Sequence, residues 1–126
     1  MKTILNSPRA PQPIGPYSQA VKANGFLFIS GQIAIEPNTG NFINSDIKSE
    51  TRQVLENIKA ILETAGLNFS HVVKSTLFIK DMNQFKEINE IYETYFPEQP
   101  PARETVEVAR LPKDAGVEIS VVACAG

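Results

Sequence analysis

PPARETVEVARLPKDAGVEIS, Pro100 to Ser120, decides the fold. Two extended segments, RETVEVA (103–109) and VEISVVA (117–123), flank a turn-rich LPKDAG, because β-branched and polar side chains alternate in both. The alternation puts Val106 and Val108 on one face of the first strand and Arg103, Thr105 and Glu107 on the other. Read alone, the stretch is a hairpin in which Glu107 falls opposite Glu118. Arg103 then lies four residues beyond Glu107, roughly 13 Å away at strand rise. Such a register keeps Arg103 and Glu118 apart within one chain, so either the register differs or the arginine meets a glutamate from a neighbouring copy.

Arg103 follows the stiff pair Pro100-Pro101 and offers a planar fork of donors that suits a carboxylate or phosphate bidentately. On composition alone the commoner fate of such an arginine is a surface ion pair, here with Glu104 or Glu107. Glu118 has a bland alternative too, a solvated strand residue paired with Lys113 or Arg110. If Glu107 and Glu118 do face each other, repulsion raises the pKa of one of them.

Upstream, Asp46 to Ala65 has helical spacing, with Ile47, Val54, Leu55, Ile58, Ile61, Leu62 and Ala65 on one stripe and Gly66 as the stop. HVVKSTLFIK (71–80) reads as a strand. Asp81 and Gln84 have the spacing of a capping box opening a second helix, Met82 to Phe96, whose apolar face carries Phe85, Ile88, Tyr92 and Phe96. Asn89 falls at the margin of that stripe, the place of a satisfied packing amide. Pro97 ends the helix.

Near the N-terminus, TIL (3–5) is a short strand, and SPRAPQPIGP (7–16), with four prolines and a glycine, is a pinned extended loop leading to Tyr17. SQAVKA (18–23) and FLFIS (26–30) form a hairpin around Asn24-Gly25. At Ser30 and Gly31 the backbone either bulges or approaches a ligand closely. The order is ββ(β)αβαββ, an α+β fold with two helices on one face of a mixed sheet. The bare face, assigned valines, isoleucines and Ala123 of VEISVVACA, is an apolar patch that self-association should cover.

At 126 residues the chain suits one domain, 1–126. A net charge of -2 without a basic run argues against nucleic acid, and no apolar run reaches the length of a membrane span, so the expected location is cytoplasmic. One cysteine, Cys124, and one histidine, His71, exclude an internal disulfide and leave no zinc cluster or Cys-His nucleophile pair of the usual spacing; both read as structural.

IGPYSQAV (14–21), ISGQI (29–33), HVVKSTLFIKDMNQFKEINEIYETYF (71–96) and PARETVEVARLPKDAGVEI (101–119) together resemble the RidA (YjgF-type) Rid family over nearly the whole chain. The resemblance implies a chorismate-mutase-like fold assembled as a homotrimer with ligand clefts between subunits. It also implies hydrolysis of reactive 2-enamino and 2-imino acids, such as 2-iminobutanoate and 2-iminopropanoate, to 2-oxo acids and ammonia, with no cofactor and no metal. Carried over by position, Arg103 matches the carboxylate-binding arginine and Glu118 the glutamate that handles water; these are the catalytic candidates. Tyr17, Ser30, Gly31 and Asn89 match pocket positions, and Thr105 stands where the family usually has cysteine. Backbone at Gly31 and Thr105 would orient the substrate nitrogen. A different class of function, a non-catalytic trimer that senses a small carboxylate and acts through a protein partner, fits the same resemblance. RNA cleavage, attached to some relatives, has little support in an acidic chain with a lone histidine.

Overall fold

A computed structural model describes residues 1–125. Six strands and two helices follow in the order β1 (Thr3–Leu5), β2 (Ala20–Ala23), β3 (Phe26–Gln32), α1 (Ile47–Thr64), β4 (Val72–Ile79), α2 (Phe85–Tyr95), β5 (Ala102–Glu107) and β6 (Val117–Cys124). The strands make one mixed sheet in the order β1-β2-β3-β6-β4-β5, parallel only between β4 and β5. The α+β reading with helices against one face holds.

Local chemistry explains the elements. Asn24 and Gly25 adopt φ of 51° and 81°, the left-handed pair that a two-residue hairpin turn between β2 and β3 requires. Asp46 caps α1 by accepting from the Ser49 amide at 2.8 Å, and Gly66, at φ 75°, follows its end. Val54, Leu55, Ile58, Ile61 and Leu62 are fully buried against the sheet, each stabilising the fold by about 1.5–3 kcal/mol. The expected capping box at Asp81 does not form. Met82–Gln84 is a 3-10 turn, which shifts the geometry so that Asp81 accepts from Asn83, and α2 begins only at Phe85. The reciprocal box forms instead at Asn68 and His71, where His71 Nδ1 accepts from the Asn68 amide at 3.1 Å. Ser18 and Gln19 stay outside β2. Buried Gln19 holds the proline-rich loop, accepting from the Ser7 amide and donating to the Ser7 and Pro11 carbonyls.

The expected hairpin of RETVEVA on VEISVVA is not formed, because β4 lies between β5 and β6. The helical crossover from β4 sets β5 beside it in parallel, a pairing that needs a long connection. Val117, Ile119, Val121 and Ala123 bury one whole face of β6, which is satisfied in the sheet interior beneath the helices; β5, mostly exposed, takes the edge. Glu107 therefore lies in register with Ile79, whereas Glu118 lies in register with Phe78, and the two carboxylates do not face each other.

The bare face also differs from expectation. Ala123 is fully buried on the helix side, and the exposed apolar side chains are Ile4, Phe26, Phe28 and Val106, with Phe28 47% and Val106 44% exposed. Val21, Phe28 and Val122 stand in one row of that face, and Glu118, Phe78 and Val106 in another.

Glu50, on the apolar stripe of α1, is buried and accepts from the amides of Gly116 at 2.6 Å and Val117 at 3.2 Å, anchoring the start of β6. A Cβ at Gly116 would sit 2.9 Å from Ile47 Cδ1 and 3.1 Å from Glu50 Oε1, so a side chain there would press on both. Burial pushes the Glu50 carboxyl above its ordinary range, against the lowering effect of the two amides. Glu50→Ala is expected to cost about 2–3 kcal/mol by leaving those donors unpaired. A raised folded pKa contributes stability fully present below the unfolded value, about 4.3, and lost as pH rises through the folded value. The gap between wild type and variant should therefore widen as pH falls from 7 towards 4.5, measured by urea unfolding at fixed protein concentration.

Candidate active site

The candidate residues fall into two groups at different places on one chain. The first is built by β5 and α2. Arg103 is exposed on the helix side of the edge strand, in register with Ser75, and lines an open concavity of ≈ 690 Å³ with Asn89, Tyr92, Glu93, Phe96, Pro100 and Pro101. Its Nη1 donates to Asn89 Oδ1 at 2.7 Å, and its guanidinium carbon lies 4.8 Å from the centre of the Tyr92 ring and 5.4 Å from that of Phe85.

The ion pairs expected for Arg103 do not form. Glu104 pairs with Lys74 at 3.1 Å, and a Glu107 oxygen accepts from the Met82 amide at 2.7 Å. Among the described residues no carboxylate forms an ion pair with Arg103. Asn89, a packing amide by periodicity and a pocket position by resemblance, holds the guanidinium and lines the concavity. Thr105 shares the face of Arg103, but its Oγ1 is buried without a hydrogen-bond partner and does not line the concavity.

The second group surrounds the bulge at the end of β3. Tyr17 and Gly31 line a small recess of ≈ 60 Å³ together with Pro11, Gln19 and Ile33. Tyr17 is largely exposed, and its Oη accepts from the Ile14 amide at 3.4 Å. Ser30 does structural work: its Oγ donates to the Ser18 carbonyl at 2.6 Å and its amide to the Gln19 carbonyl at 3.0 Å, tying the Tyr17 loop to β3.

Glu118 belongs to this second group. Its carboxylate lies directly on Gly31, where a Cβ would run into Glu118 Oε2 and sit 2.8 Å from the carboxyl carbon. Neither Lys113 nor Arg110 pairs with it; Arg110 binds Asp114 at 2.8 Å. Burial pushes the Glu118 carboxyl above its usual range, so burial rather than repulsion by Glu107 is the physical cause. Gly31→Ala is expected to displace this carboxylate while leaving thermal stability nearly unchanged, because a flexible side chain can yield. Thermal melts, with a structure of the variant reading the position of the carboxylate, check both halves.

Within one chain the groups do not meet. Arg103 faces the helices and Glu118 faces the bare side, across β4 and three positions along it, about 10 Å in each direction. The aromatic neighbours of Arg103 carry no motif of their own in the sequence, but Phe85, Asn89 and Tyr92 share one helical stripe at i, i+4 and i+7, which is the signal that could have found them. Among the described residues no three His, Cys, Asp or Glu side chains gather as a metal site, and no helix is long and apolar enough to cross a membrane.

A RutC family protein of Pyrococcus horikoshii is 58% identical over 123 residues, covering 98% of each chain. Reactive Intermediate Deaminase A, chloroplastic, of Arabidopsis thaliana is 44% identical over 122 residues, covering 97% of this chain and 65% of that protein. The crystal structure of E. coli TdcF with bound serine superposes with a TM-score of 0.94 at 42% identity, covering 98% of this chain and 99% of that one. The family described as Endoribonuclease L-PSP matches residues 7–125, and with these relatives it shows that the chain belongs to that family, which includes the RutC and Rid proteins.

Proposed function

We propose that this protein hydrolyses short 2-imino and 2-enamino acids, such as 2-iminobutanoate and 2-iminopropanoate, to 2-oxo acids and ammonia in the cytoplasm. The site is completed by two copies in a homotrimer. The observation that carries the reading is the Arg103 guanidinium, held beside an open concavity with no carboxylate partner among the described residues. A free guanidinium next to neutral acceptors and rings suits a small acid, which it grips bidentately. The Arabidopsis relative is named a deaminase of reactive intermediates, and TdcF holds serine, a small carboxylate.

The second half of the chemistry comes from the neighbour. Phe26, Phe28 and Val106 leave an apolar face that association would cover, and that face also bears Glu118. Packing one copy's bare face near the edge strand of the next brings Glu118, Gly31 and Tyr17 towards another copy's Arg103. There the protonated imine carbon is already electrophilic. Glu118 takes a proton from the attacking water as the C2–O bond forms and returns it to the amine of the resulting carbinolamine; as the C–N bond breaks, the C2 hydroxyl closes to C=O and its proton leaves with the ammonia as ammonium. No covalent nucleophile is required.

The test generates the imine in situ from threonine with a dehydratase and follows 2-oxobutanoate against a scavenger amine. Faster release supports the enzyme. Binding of 2-oxobutanoate without acceleration would replace it with the carboxylate-sensing regulatory trimer.

A further inference from the structure

An exposed arginine on an edge strand is free to sample many rotamers, and an anion that binds it must freeze them. The usual device, a carboxylate beside the guanidinium, would neutralise the charge the ligand needs. Here the supports are neutral. Tyr92 and Phe85 lie within the ~6 Å range in which a ring face attracts a cation, and Asn89 takes one N–H.

We propose that Tyr92, assisted by Phe85, is a positioning residue for Arg103: the ring faces fix the guanidinium while its remaining N–H edge stays free for a carboxylate. The inference rests on the carboxylate-clamp reading above and deepens it. Tyr92 is itself held firmly. It is 4% exposed, with Phe96 stacked at 4.6 Å; Phe69 meets Phe96 and Tyr95 edge-on, each at 5.2 Å. Tyr95 Oη donates to Glu56 at 2.7 Å, so a run of rings links α1 to the guanidinium. The ring is the working part, because its face meets the guanidinium whereas Tyr92 Oη is buried beside Ser75.

The experiment compares wild type with Tyr92→Phe, Tyr92→Leu and Phe85→Leu. Calorimetry measures 2-oxobutanoate binding, and NMR reads the ring-current shift of the Arg103 side-chain protons in the unliganded protein. Tyr92→Phe should keep both the shift and the affinity. Tyr92→Leu should lose most of the shift and bind about tenfold more weakly, with KM raised and kcat nearly kept, as expected for a lost ring contact to a cation. Phe85→Leu, at a partly exposed position, should do the same more mildly and serves if Tyr92→Leu fails to fold. Unchanged Arg103 shifts and affinity in the leucine variants would overturn the proposal. Unchanged binding in Arg103→Ala would instead overturn the carboxylate clamp, leaving the NMR shifts to decide whether the rings hold the guanidinium.

Discussion

Arg103→Ala is expected to lower kcat/KM for imino-acid hydrolysis by about 10²- to 10³-fold, the scale of losing one partner of a hydrogen-bonded charge pair. The fold should survive, because Arg103 is exposed and its one side-chain hydrogen bond among the described residues is to Asn89, half-buried on α2. Arg103→Lys should recover little. An ammonium carries the charge but lacks the planar fork and the face that stacks on Tyr92. The check is initial-rate kinetics on imine generated in situ, with thermal melting and sedimentation showing an intact assembly. Wild-type rates in Arg103→Ala would remove the carboxylate clamp and with it the proposed reaction.

The second large effect is expected at Glu118. Glu118→Gln keeps the shape of the side chain over Gly31 but cannot shuttle a proton, so the rate above the uncatalysed reaction should fall by about 10²-fold or more. The pH profile gives an independent reading. Burial raises the Glu118 pKa, and its role as base needs the ionised form. In wild type, kcat/KM, corrected for the spontaneous reaction, should therefore decline as pH drops through a value above the ordinary glutamate pKa of about 4.3. That limb should vanish in the glutamine variant. A limb that persists unchanged would assign the ionisation to another group.

These two residues also show how far a linear reading reaches. Arg103 stood out because two prolines and a strand pattern frame it, and the alternation correctly separated Arg103, Thr105 and Glu107 from Val106. The same alternation put Glu107 opposite Glu118 because adjacent strands in sequence were paired with each other. Inserting β4 between them changes every cross-strand neighbour while leaving each strand's own pattern intact. Glu50 escaped notice although it falls on the apolar stripe of α1, since its partners, the amides of Gly116 and Val117, are remote in sequence and carry no side-chain signature.

Periodicity, turn chemistry and prolines by themselves determined the strands, the helices and the α+β class, because those signals are local to a few neighbouring positions; the residues worth testing came from the family resemblance of the longer motifs. Only the tertiary structure decided strand order, and therefore that Arg103 and Glu118 face opposite sides of the sheet. It also decided that Arg103 rests on two aromatic rings instead of a glutamate. Such contacts depend on which buried face the core demands in its centre, and burial is a property of the assembled layers that no single segment specifies.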